Sequence, residues 1–432
     1  MNKEMRLFGF ELGREKDLCL AELSSVLGEK NLVEHIYDIA IFDLDNKENG
    51  NHIKNIQTLQ DNLGGTIKII EIVETIDAKT DIATATQTQN KIEQFILSYF
   101  EKYFKDRYGK IPFCISTYNL KNTHTLNIKQ LLNFSKKILK SLHLNSRFLN
   151  KGLENPKSSA IYKSGTIEKG IDLNIIKGSK SIFIGKTSAI QNIDDYSLRD
   201  FNRPCRDMQT GMLPPKLAQI MINLTLGNTH EPKTIYDPFC GTGVILMEAL
   251  LMNHLAIGSD VEAKMIEYSK KNCEWMIKQL NTQKQHELKL FQKDARLLTK
   301  KDLPEKIDAV VTESYLGPLL TFEPNQETMD KIFRELSNLH LNWLKAIKPL
   351  ISQNTKILLC LPAYKTKNSI KTPAVGGLPS FSRERAERAN SIIHFPKFSE
   401  IASEAGFQTL KIFSYGRKEQ IVGRDLVILK NI

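Results

Sequence analysis

The chain has 432 residues, 41% of them hydrophobic, and its 60 Lys and Arg against 49 Asp and Glu give a formal net charge of +11. This length allows two or three domains with cores of their own. No window approaches 18 uninterrupted apolar residues and the N-terminus has no long apolar stretch, which excludes a membrane helix and a signal peptide. We therefore expect a cytoplasmic protein without a membrane partner.

The excess of basic residues favours a polyanionic partner such as nucleic acid, because each neutralised phosphate releases condensed counterions. A Lys-rich proteome explains the charge equally well. The cysteines are scattered and no two have metal-ligand spacing, so we expect free thiols in a reducing compartment and no structural zinc site. They are Cys19, Cys114, Cys205, Cys240, Cys273 and Cys360.

The first 190 residues combine strands and helices without strict alternation. In chain order, hydrophobic periodicity predicts a strand over 5–12, a helix over 18–27, strand-like residues over 30–43, a strand over 66–73, a helix over 90–105, a strand over 111–118, a basic helix over 128–142, extended segments at 159–161 and 171–176, and a strand over 181–190. This order predicts an α+β region rather than a nucleotide-binding sheet.

Residues 196–207 are polar, charged and aperiodic, which predicts a linker over 191–211. The segment contains Arg199, Arg203 and Arg206. These arginines either hold the two halves of the chain together or reach phosphates, and the alternative for each is a solvated surface charge.

From Pro214 onwards the pattern alternates regularly between helix and strand. Helices are predicted over 216–226, 244–252, 263–280, 326–347 and 398–405, and strands over 234–236, 254–258, 288–292, 307–312, 356–361, 408–413 and 425–429. This alternation predicts an α/β domain with a doubly wound, mostly parallel sheet.

The segment Asp237-Pro238-Phe239-Cys240-Gly241-Thr242-Gly243 lies where a predicted strand meets a helix. Its glycines allow a tight turn and close approach to a ligand, and the helix N-terminus offers free N–H groups. The third glycine of the dinucleotide fingerprint and the Lys-Ser/Thr of a P-loop are absent, so phosphate binding is the weaker interpretation. Asp237 suits an ammonium group, directly or through water.

The next two predicted strands also end in carboxylates. Asp260 is placed to accept hydrogen bonds from ribose hydroxyls, and Asp294 to accept one from an adenine amino group. A single Asp at a strand end is more often a helix cap or a solvated side chain. Three acids at three successive strand ends are much more specific than any one of them.

Together, Asp237–Gly243, Asp260 and Asp294 resemble the first three motifs of class I S-adenosylmethionine-dependent methyltransferases, in the form typical of the RNA-modifying branch. The resemblance implies S-adenosylmethionine as the cofactor and a Rossmann-like catalytic domain. It implies these cofactor-binding residues: Pro214, Asp237, Phe239, Gly241, Thr242, Gly243, Asp260, Val261, Asp294 and Ala295.

The strand predicted over 307–312 is followed by Glu313-Ser314-Tyr315-Leu316-Gly317, where amino-methyltransferases usually carry Asp/Asn-Pro-Pro-Tyr/Phe. Such a loop accepts hydrogens from a poorly nucleophilic exocyclic amine, stacks an aromatic ring on the base and positions it without a metal. We predict catalytic roles for Glu313 as acceptor, Tyr315 as stacking partner and Ser314 between them. The alternative is a decayed loop, or one used for another nucleophile.

Three further stretches resemble THUMP-domain tRNA guanosine-10 N2-methyltransferases: Phe8–Glu15 with Leu20–Leu23, Arg199–Pro204 with Gly211–Leu224, and Tyr415–Arg417 with Gly423–Asp425. The resemblance implies an N-terminal ferredoxin-like domain over 1–58, a THUMP RNA-binding domain over 59–190, a linker over 191–211 and a methyltransferase domain over 212–432. It also implies that Gly211–Lys216 borders the methionine pocket.

The predicted partner is tRNA. Lys136, Lys140, Arg147 and Lys151, in and after the basic helix, are candidates for RNA contact together with Arg203. A polar segment over 364–390, with Arg383, Arg385 and Arg388, is either a flexible loop that clamps RNA near the active site or a disordered insertion.

The leading hypothesis is therefore methylation of the exocyclic N2 of a tRNA guanosine. The alternatives are a DNA adenine-N6 methyltransferase and a catalytically impaired tRNA-binding protein that retains the cofactor pocket. The sequence leaves open the target nucleotide, the number of methyl groups, the oligomeric state and any requirement for a small activating subunit.

Overall fold

A computed structural model describes residues 5–44, 55–77, 83–120, 126–152, 154–207, 212–229, 231–279, 287–320, 322–366, 391–416 and 420–432. The chain divides into two compact units, Met1–Tyr196 and Ser197–Ile432. None of the helices within the described ranges is long and apolar enough to cross a membrane.

The first unit is an α+β structure built on one eight-stranded sheet with the order β2-β3-β1-β4-β8-β7-β5-β6. Its elements are β1 (Leu7–Leu12), α1 (Lys16–Leu27), β2 (Leu32–Ile36), β3 (Ile39–Asp43), α2 (Ile56–Asn62), β4 (Thr66–Asp77), α3 (Ala83–Phe104), β5 (Lys110–Tyr118), α4 (Ile128–Ser141), β6 (Asn145–Phe148), α5 (Ser158–Lys163), α6 (Thr166–Lys169), β7 (Ile171–Lys177) and β8 (Ser181–Ile190). Strand β5 pairs in parallel with β6 and β7, and the other pairings are antiparallel.

Strand β4 joins the segments that were assigned to two domains. It pairs with β1 on one side and with β8 on the other, so strands from both predicted domains form one continuous sheet. The predicted division near residue 58 stays a prediction.

A buried polar network lies within this sheet. Lys68, with 2% of its side chain exposed, lies 2.7 Å from Asp172, which also accepts hydrogen bonds from Ser116 and Thr187. Burial by itself would raise the pKa of Asp172, but the Lys68 ammonium reverses the shift and the pKa is lowered. The pair is therefore charged, which is how a buried carboxylate and ammonium are tolerated together.

The second unit is an α/β structure whose sheet has the order β11-β10-β9-β12-β13-β16-β15, with β14 beside β13. Its elements are α8 (Pro215–Leu226), β9 (Thr234–Asp237), α9 (Val244–Leu251), β10 (Leu255–Asp260), α10 (Ala263–Gln279), β11 (Leu288–Gln292), β12 (Ala309–Thr312), α11 (Gln326–Ile347), β13 (Lys356–Thr366), β14 (Ser391–Ile393), α12 (Phe398–Glu404), β15 (Phe407–Tyr415) and β16 (Val422–Asn431). Strands β9 to β13 pair in parallel, and β14 and β16 are antiparallel to β13. The predicted doubly wound, mostly parallel sheet is confirmed.

The linker region contains a helix that the sequence did not reveal. Residues Ile193–Phe201 form α7, with Asp194 and Asp195 in its first turn and Arg199 in its last. Acids near the N-terminus and a base near the C-terminus complement the helix dipole. The description of this stretch as aperiodic was therefore wrong over these residues.

The strand order sets the position of the candidate site. The chain leaves β9 towards β10 and β11 and then returns to the other side of β9 as β12, so the order reverses between β9 and β12. In open α/β sheets, ligands bind beyond the carboxyl ends of the strands at such a reversal.

Candidate active site

The turn after β9 requires its two glycines. Gly241 and Gly243 have φ angles of +50° and +83°, in the region that side chains disfavour. A Cβ at Gly243 would lie 2.9 Å from the Ser269 hydroxyl oxygen, whereas one at Gly241 would meet nothing within 4 Å. The Gly241 side of the turn is therefore open and can admit a ligand.

Side chains of α10 hold the same turn from behind. The Ser269 hydroxyl donates to the Gly241 carbonyl at 2.8 Å, and the Asn272 amide donates to the Thr242 carbonyl at 2.8 Å. Asn272 also bonds both backbone groups of Cys205. The turn is thus rigid before any ligand binds.

Asp237 is a buried carboxylate at the end of β9. Its Oδ1 accepts hydrogen bonds from the Thr312 hydroxyl at 2.6 Å and the Phe239 N–H at 3.1 Å, and Oδ2 accepts none from any described residue. Burial raises its pKa to about 7, against the two hydrogen bonds that lower it. No cationic side chain of the described ranges pairs with it, so an ammonium group fits this place.

Asp260 ties the end of β10 to the turn. Its Oδ2 accepts from the Gly241 N–H and its Oδ1 from the Glu262 N–H, both at 3.0 Å. Burial raises the pKa of this carboxyl. Each oxygen keeps a second acceptor position, so hydrogen bonds to ribose hydroxyls are compatible with these contacts.

Asp294 has a local role that matches the capping alternative. Its carboxylate caps a short 3-10 helix through the Arg296 N–H at 2.9 Å and pairs with the Arg296 guanidinium at 2.6 Å. The hydrogen bond from Arg296 lowers the pKa of this carboxyl. Its contact with adenine stays a prediction.

The other predicted cofactor residues lie on the elements around the turn. Pro214 precedes the first turn of α8. Phe239 is half-buried and packs edge-on against Trp343 with ring centroids 5.6 Å apart. Val261 is 60% exposed, whereas Ala295 and Thr242 are buried.

Glu313 directly follows β12, next to the turn. Its Oε1 accepts a hydrogen bond from Nε of Arg424, and the exposed fractions of the two side chains are 16% and 5%. The predicted acceptor is thus part of an ion pair. Arg424 is not among the residues predicted for this site.

The next two residues of the loop differ sharply in exposure. Ser314 is buried and its hydroxyl donates to the Cys360 carbonyl at 2.6 Å, which anchors the loop to β13. Tyr315 is 51% exposed. The exposed ring is available for stacking, whereas the Ser314 hydroxyl serves the loop itself.

The candidate RNA residues of the first unit are solvent-exposed. Lys136 and Lys140 lie on α4, Arg147 lies in β6, and Lys151 follows. The Lys136 ammonium is 6.0 Å from the Phe148 ring, which is 41% exposed. A basic surface with an exposed aromatic ring suits contact with nucleic acid.

Two of the three connector arginines are buried, whereas Arg206 is an exposed charge near the Phe201 ring, as the surface-charge alternative expects. Arg199 pairs with the buried Glu248 at 2.8 Å. Arg203 is 3% exposed, and burial lowers its pKa. Its three guanidinium nitrogens have no hydrogen-bond partner among the described residues. Its predicted contact with RNA stays a prediction.

Several predicted residues lie outside the described ranges: Gly211, Arg383, Arg385, Arg388 and Arg417. Within those ranges, no cluster of His, Cys, Asp and Glu side chains could hold a metal ion.

A protein-family model described as "RMKL-like, methyltransferase domain" matches residues 203–349. This stretch contains the glycine turn, both strand-end acids that follow it and the Glu313 loop. The second unit therefore carries an RMKL-like methyltransferase domain. This match confirms the predicted methyltransferase domain and its predicted cofactor, S-adenosylmethionine.

Curated relatives of the chain are named tRNA (guanine(10)-N2)-dimethyltransferase. That of Methanothermobacter thermautotrophicus is 35% identical over 165 residues, 37% of this chain and 41% of the relative. That of Methanocaldococcus jannaschii is 30% identical over 149 residues, 32% of this chain and 39% of the relative. The matches thus span less than half the length of these relatives.

Solved structures are similar over almost the whole chain at low identity. TrmN from Thermus thermophilus is 12% identical, with 99% of this chain and 100% of that chain covered and a TM-score of 0.47. A predicted N6-adenine-specific DNA methylase from Listeria monocytogenes is 12% identical, with 100% and 97% covered and a TM-score of 0.42. Similarity at this level says nothing about the reaction of the RMKL-like domain.

Sequence reasoning missed three residues of this site: Arg424, Thr312 and Asn272. A signal existed for Arg424, because Arg424-Asp425 interrupts the otherwise apolar strand β16. A charged residue in a buried strand usually has a partner. Thr312 and Asn272 gave no comparable signal.

Proposed function

We propose that this chain is an S-adenosylmethionine-dependent tRNA methyltransferase that modifies the exocyclic N2 of a guanosine, at position 10. One observation carries the proposal: four acids lie at the carboxyl ends of the adjacent parallel strands β11, β10, β9 and β12, namely Asp294, Asp260, Asp237 and Glu313. The cofactor turn and the acceptor loop are therefore neighbours on one sheet edge. The substrate class is taken from the named relatives.

When bound, the cofactor supplies an electrophilic methyl group on a sulfonium. We assign Asp237 to the ammonium of the cofactor's methionine part, since its Oδ2 accepts no hydrogen bond from the described residues. We assign Asp260 to the cofactor's ribose. Glu313 accepts a hydrogen from the target N2 and takes the proton as that nitrogen gains the methyl group. Tyr315 stacks on the guanine, and Ser314 holds the loop. Most of the rate comes from this positioning.

We predict that Asp260→Ala weakens binding of S-adenosylhomocysteine, the demethylated product, by about 10- to 100-fold, because charge-assisted hydrogen bonds to the ribose are lost. Isothermal titration with this ligand and its 2′-deoxy analogue measures the effect. If Asp260 binds the ribose, removing both the carboxylate and the 2′-hydroxyl weakens binding little more than removing either group alone. Fully additive losses, or an unchanged dissociation constant, contradict the assignment.

We propose that the surface of Lys136, Lys140, Arg147 and Lys151 contacts tRNA phosphates. Replacing Lys136 and Lys140 by Ala should weaken tRNA binding roughly tenfold at low salt and reduce the salt slope by about 2, because two phosphate contacts are removed. Filter binding at several salt concentrations measures both. A double variant in which the exposed residues Lys30 and Lys180 are replaced by Ala controls for net charge. Equal effects of the two double variants on tRNA binding refute a specific binding surface.

Incubation with tritiated S-adenosylmethionine and either unmodified tRNA or unmethylated DNA tests the proposed function. We expect label in tRNA, recovered after digestion as N2-methylguanosine or its dimethyl form. Label in DNA alone overturns the proposal in favour of an adenine methyltransferase. Binding of cofactor and tRNA without transfer supports the impaired tRNA-binding protein, an alternative suggested by the departure of Glu313-Ser314-Tyr315-Leu316-Gly317 from the usual Asp/Asn-Pro-Pro-Tyr/Phe.

A further inference from the structure

Arg424 is a buried cation whose side chain reaches the acceptor loop after β12 from β16, two strands away in the sheet. It belongs to β16, where it is opposite Pro362 of β13 and Tyr415 of β15. Its Nε–H donates to Oε1 of Glu313. The two residues are separated by 111 positions in the sequence. Only the fold brings them together.

The ion pair leaves part of the Glu313 carboxylate available. Oε1 accepts from Arg424, while Oε2 receives no hydrogen bond from any residue in the described ranges. The Glu313 side chain is 16% exposed, whereas Arg424 is 5% exposed. The arginine is thus enclosed by protein, whereas part of the Glu313 side chain is exposed to solvent and so to a ligand.

Two further hydrogen bonds anchor the loop around Glu313 to β13. Ser314 donates to the Cys360 carbonyl at 2.6 Å, and the Tyr364 hydroxyl donates to the Leu316 carbonyl at 3.3 Å. Gly317 has a φ of +95°, which lets the chain turn away after these contacts. The backbone is therefore held, but a Glu side chain still rotates about three bonds unless something fixes its carboxylate.

We propose that Arg424 is a positioning residue for the methyl-transfer reaction: its Nε–H fixes Glu313 so that Oε2 accepts the hydrogen of the target N2. The inference rests on the proposed function. It assigns to Arg424 an effect on geometry rather than on charge. The charge of Arg424 by itself would oppose the reaction, because it repels the positive charge that the target nitrogen acquires.

The reaction step is balanced without a further reactant. A bond forms between N2 and the methyl carbon as the bond from sulfur to that carbon breaks, and the sulfonium becomes a neutral thioether. The nitrogen releases its proton to Oε2 of Glu313. Arg424 stays protonated throughout: burial disfavours its charge, but the Glu313 carboxylate outweighs burial and its pKa is raised.

The full chain with Arg424→Met or Arg424→Lys tests the inference. Met keeps much of the side-chain length but has no donor, so we expect kcat to fall about 10- to 100-fold, the range for a misplaced reacting group. The KM for tRNA and the dissociation constant of S-adenosylhomocysteine should stay within about threefold, since neither ligand is held by Arg424. Lys restores a charged donor and should recover kcat to within about fivefold of the wild type.

Rates are expressed per site titrated with S-adenosylhomocysteine, so that partial unfolding does not lower kcat. Arg334→Met, at an exposed position of α11, is the matched control and should leave kcat unchanged. In a Glu313→Ala background, Arg424→Met should reduce kcat by less than about twofold, because residues acting through one another are not additive.

Equal kcat for the wild type and Arg424→Met overturns the inference while leaving the proposed function intact. The same fold loss in the Glu313→Ala background also overturns it, since Arg424 would then act independently of Glu313. A wild type that labels no nucleic acid overturns the proposed function and this inference with it, because a positioning residue requires a reaction.

Discussion

Glu313→Ala should lower kcat for tRNA methylation by about 100- to 1,000-fold, the loss typical of removing one preorganised group from an active site. The exocyclic amine of guanine is a poor nucleophile, and its hydrogens need an acceptor when the nitrogen gains positive charge. Cofactor binding should change little, because the turn is held by Ser269 and Asn272. Single-turnover transfer of tritium to tRNA measures the effect.

Two further substitutions at Glu313 separate charge from hydrogen bonding. Gln keeps an accepting carbonyl and should retain more activity than Ala, with a loss of about tenfold. Glu404→Ala, which removes an exposed carboxylate paired with Lys345, is the control and should have no effect. Wild-type kcat in Glu313→Ala would place the acceptor elsewhere and refute the role assigned to this loop.

Asp237→Asn should weaken S-adenosylhomocysteine binding by about 10- to 100-fold at pH 7.5, through loss of a charge-assisted contact with the ligand ammonium. Burial raises the pKa of Asp237 to about 7. Only the ionised form attracts an ammonium, so wild-type affinity should fall about tenfold per pH unit below 7 and level off above it. Asn does not titrate, so its affinity should lack this dependence.

In the cofactor-free protein, Asp237→Asn should increase stability at alkaline pH, although it weakens ligand binding. A carboxyl whose pKa is raised on folding stabilises the fold below its unfolded pKa near 4, and this contribution is lost as pH rises to about 7. At pH 8 the Asn variant should therefore be more stable than the wild type, by at most about 4 kcal/mol for a shift of this size. Urea denaturation at pH 4 and pH 8 measures the difference.

Asp330→Asn, on the exposed face of α11, is the matched control for both measurements. It should change neither the pH dependence of ligand binding nor that of stability. A variant Asp237→Asn that binds the ligand as the wild type does, with the same pH dependence, contradicts the ammonium assignment.

Much of the site was predictable because its signals are local. The glycines after β9 are needed for backbone angles that side chains disfavour, and the structure has φ of +50° and +83° there. Hydrophobic periodicity places Asp237 and Asp260 at strand ends, since Asp237 directly follows the apolar pair Ile235-Tyr236 and Asp260 follows Leu255–Gly258 after Ser259. The carboxyl ends of parallel strands share an edge, so these acids had to be close.

The local contacts that the sequence did not reveal have equally physical reasons. Asp294 has the same strand-end position, yet Arg296 two residues later captures its carboxylate. Ser314 lies between two residues with predicted chemical roles, but its hydroxyl donates to the carbonyl of Cys360, a residue 46 positions away in the sequence. The helix α7 was missed because Asp, Ser and Arg make up five of its nine residues and obscure its apolar spacing.

By itself, the sequence determined the doubly wound sheet, the glycine turn and the presence of a carboxylate beside it, because period, turn chemistry and strand ends are properties of neighbouring residues. The tertiary structure alone decided which groups those carboxylates meet. Asp237 accepts a hydrogen bond from Thr312 and pairs with no cation among the described residues, whereas Glu313 forms an ion pair with Arg424. Such pairings join residues 75 and 111 positions apart, and only the order of the strands determines them.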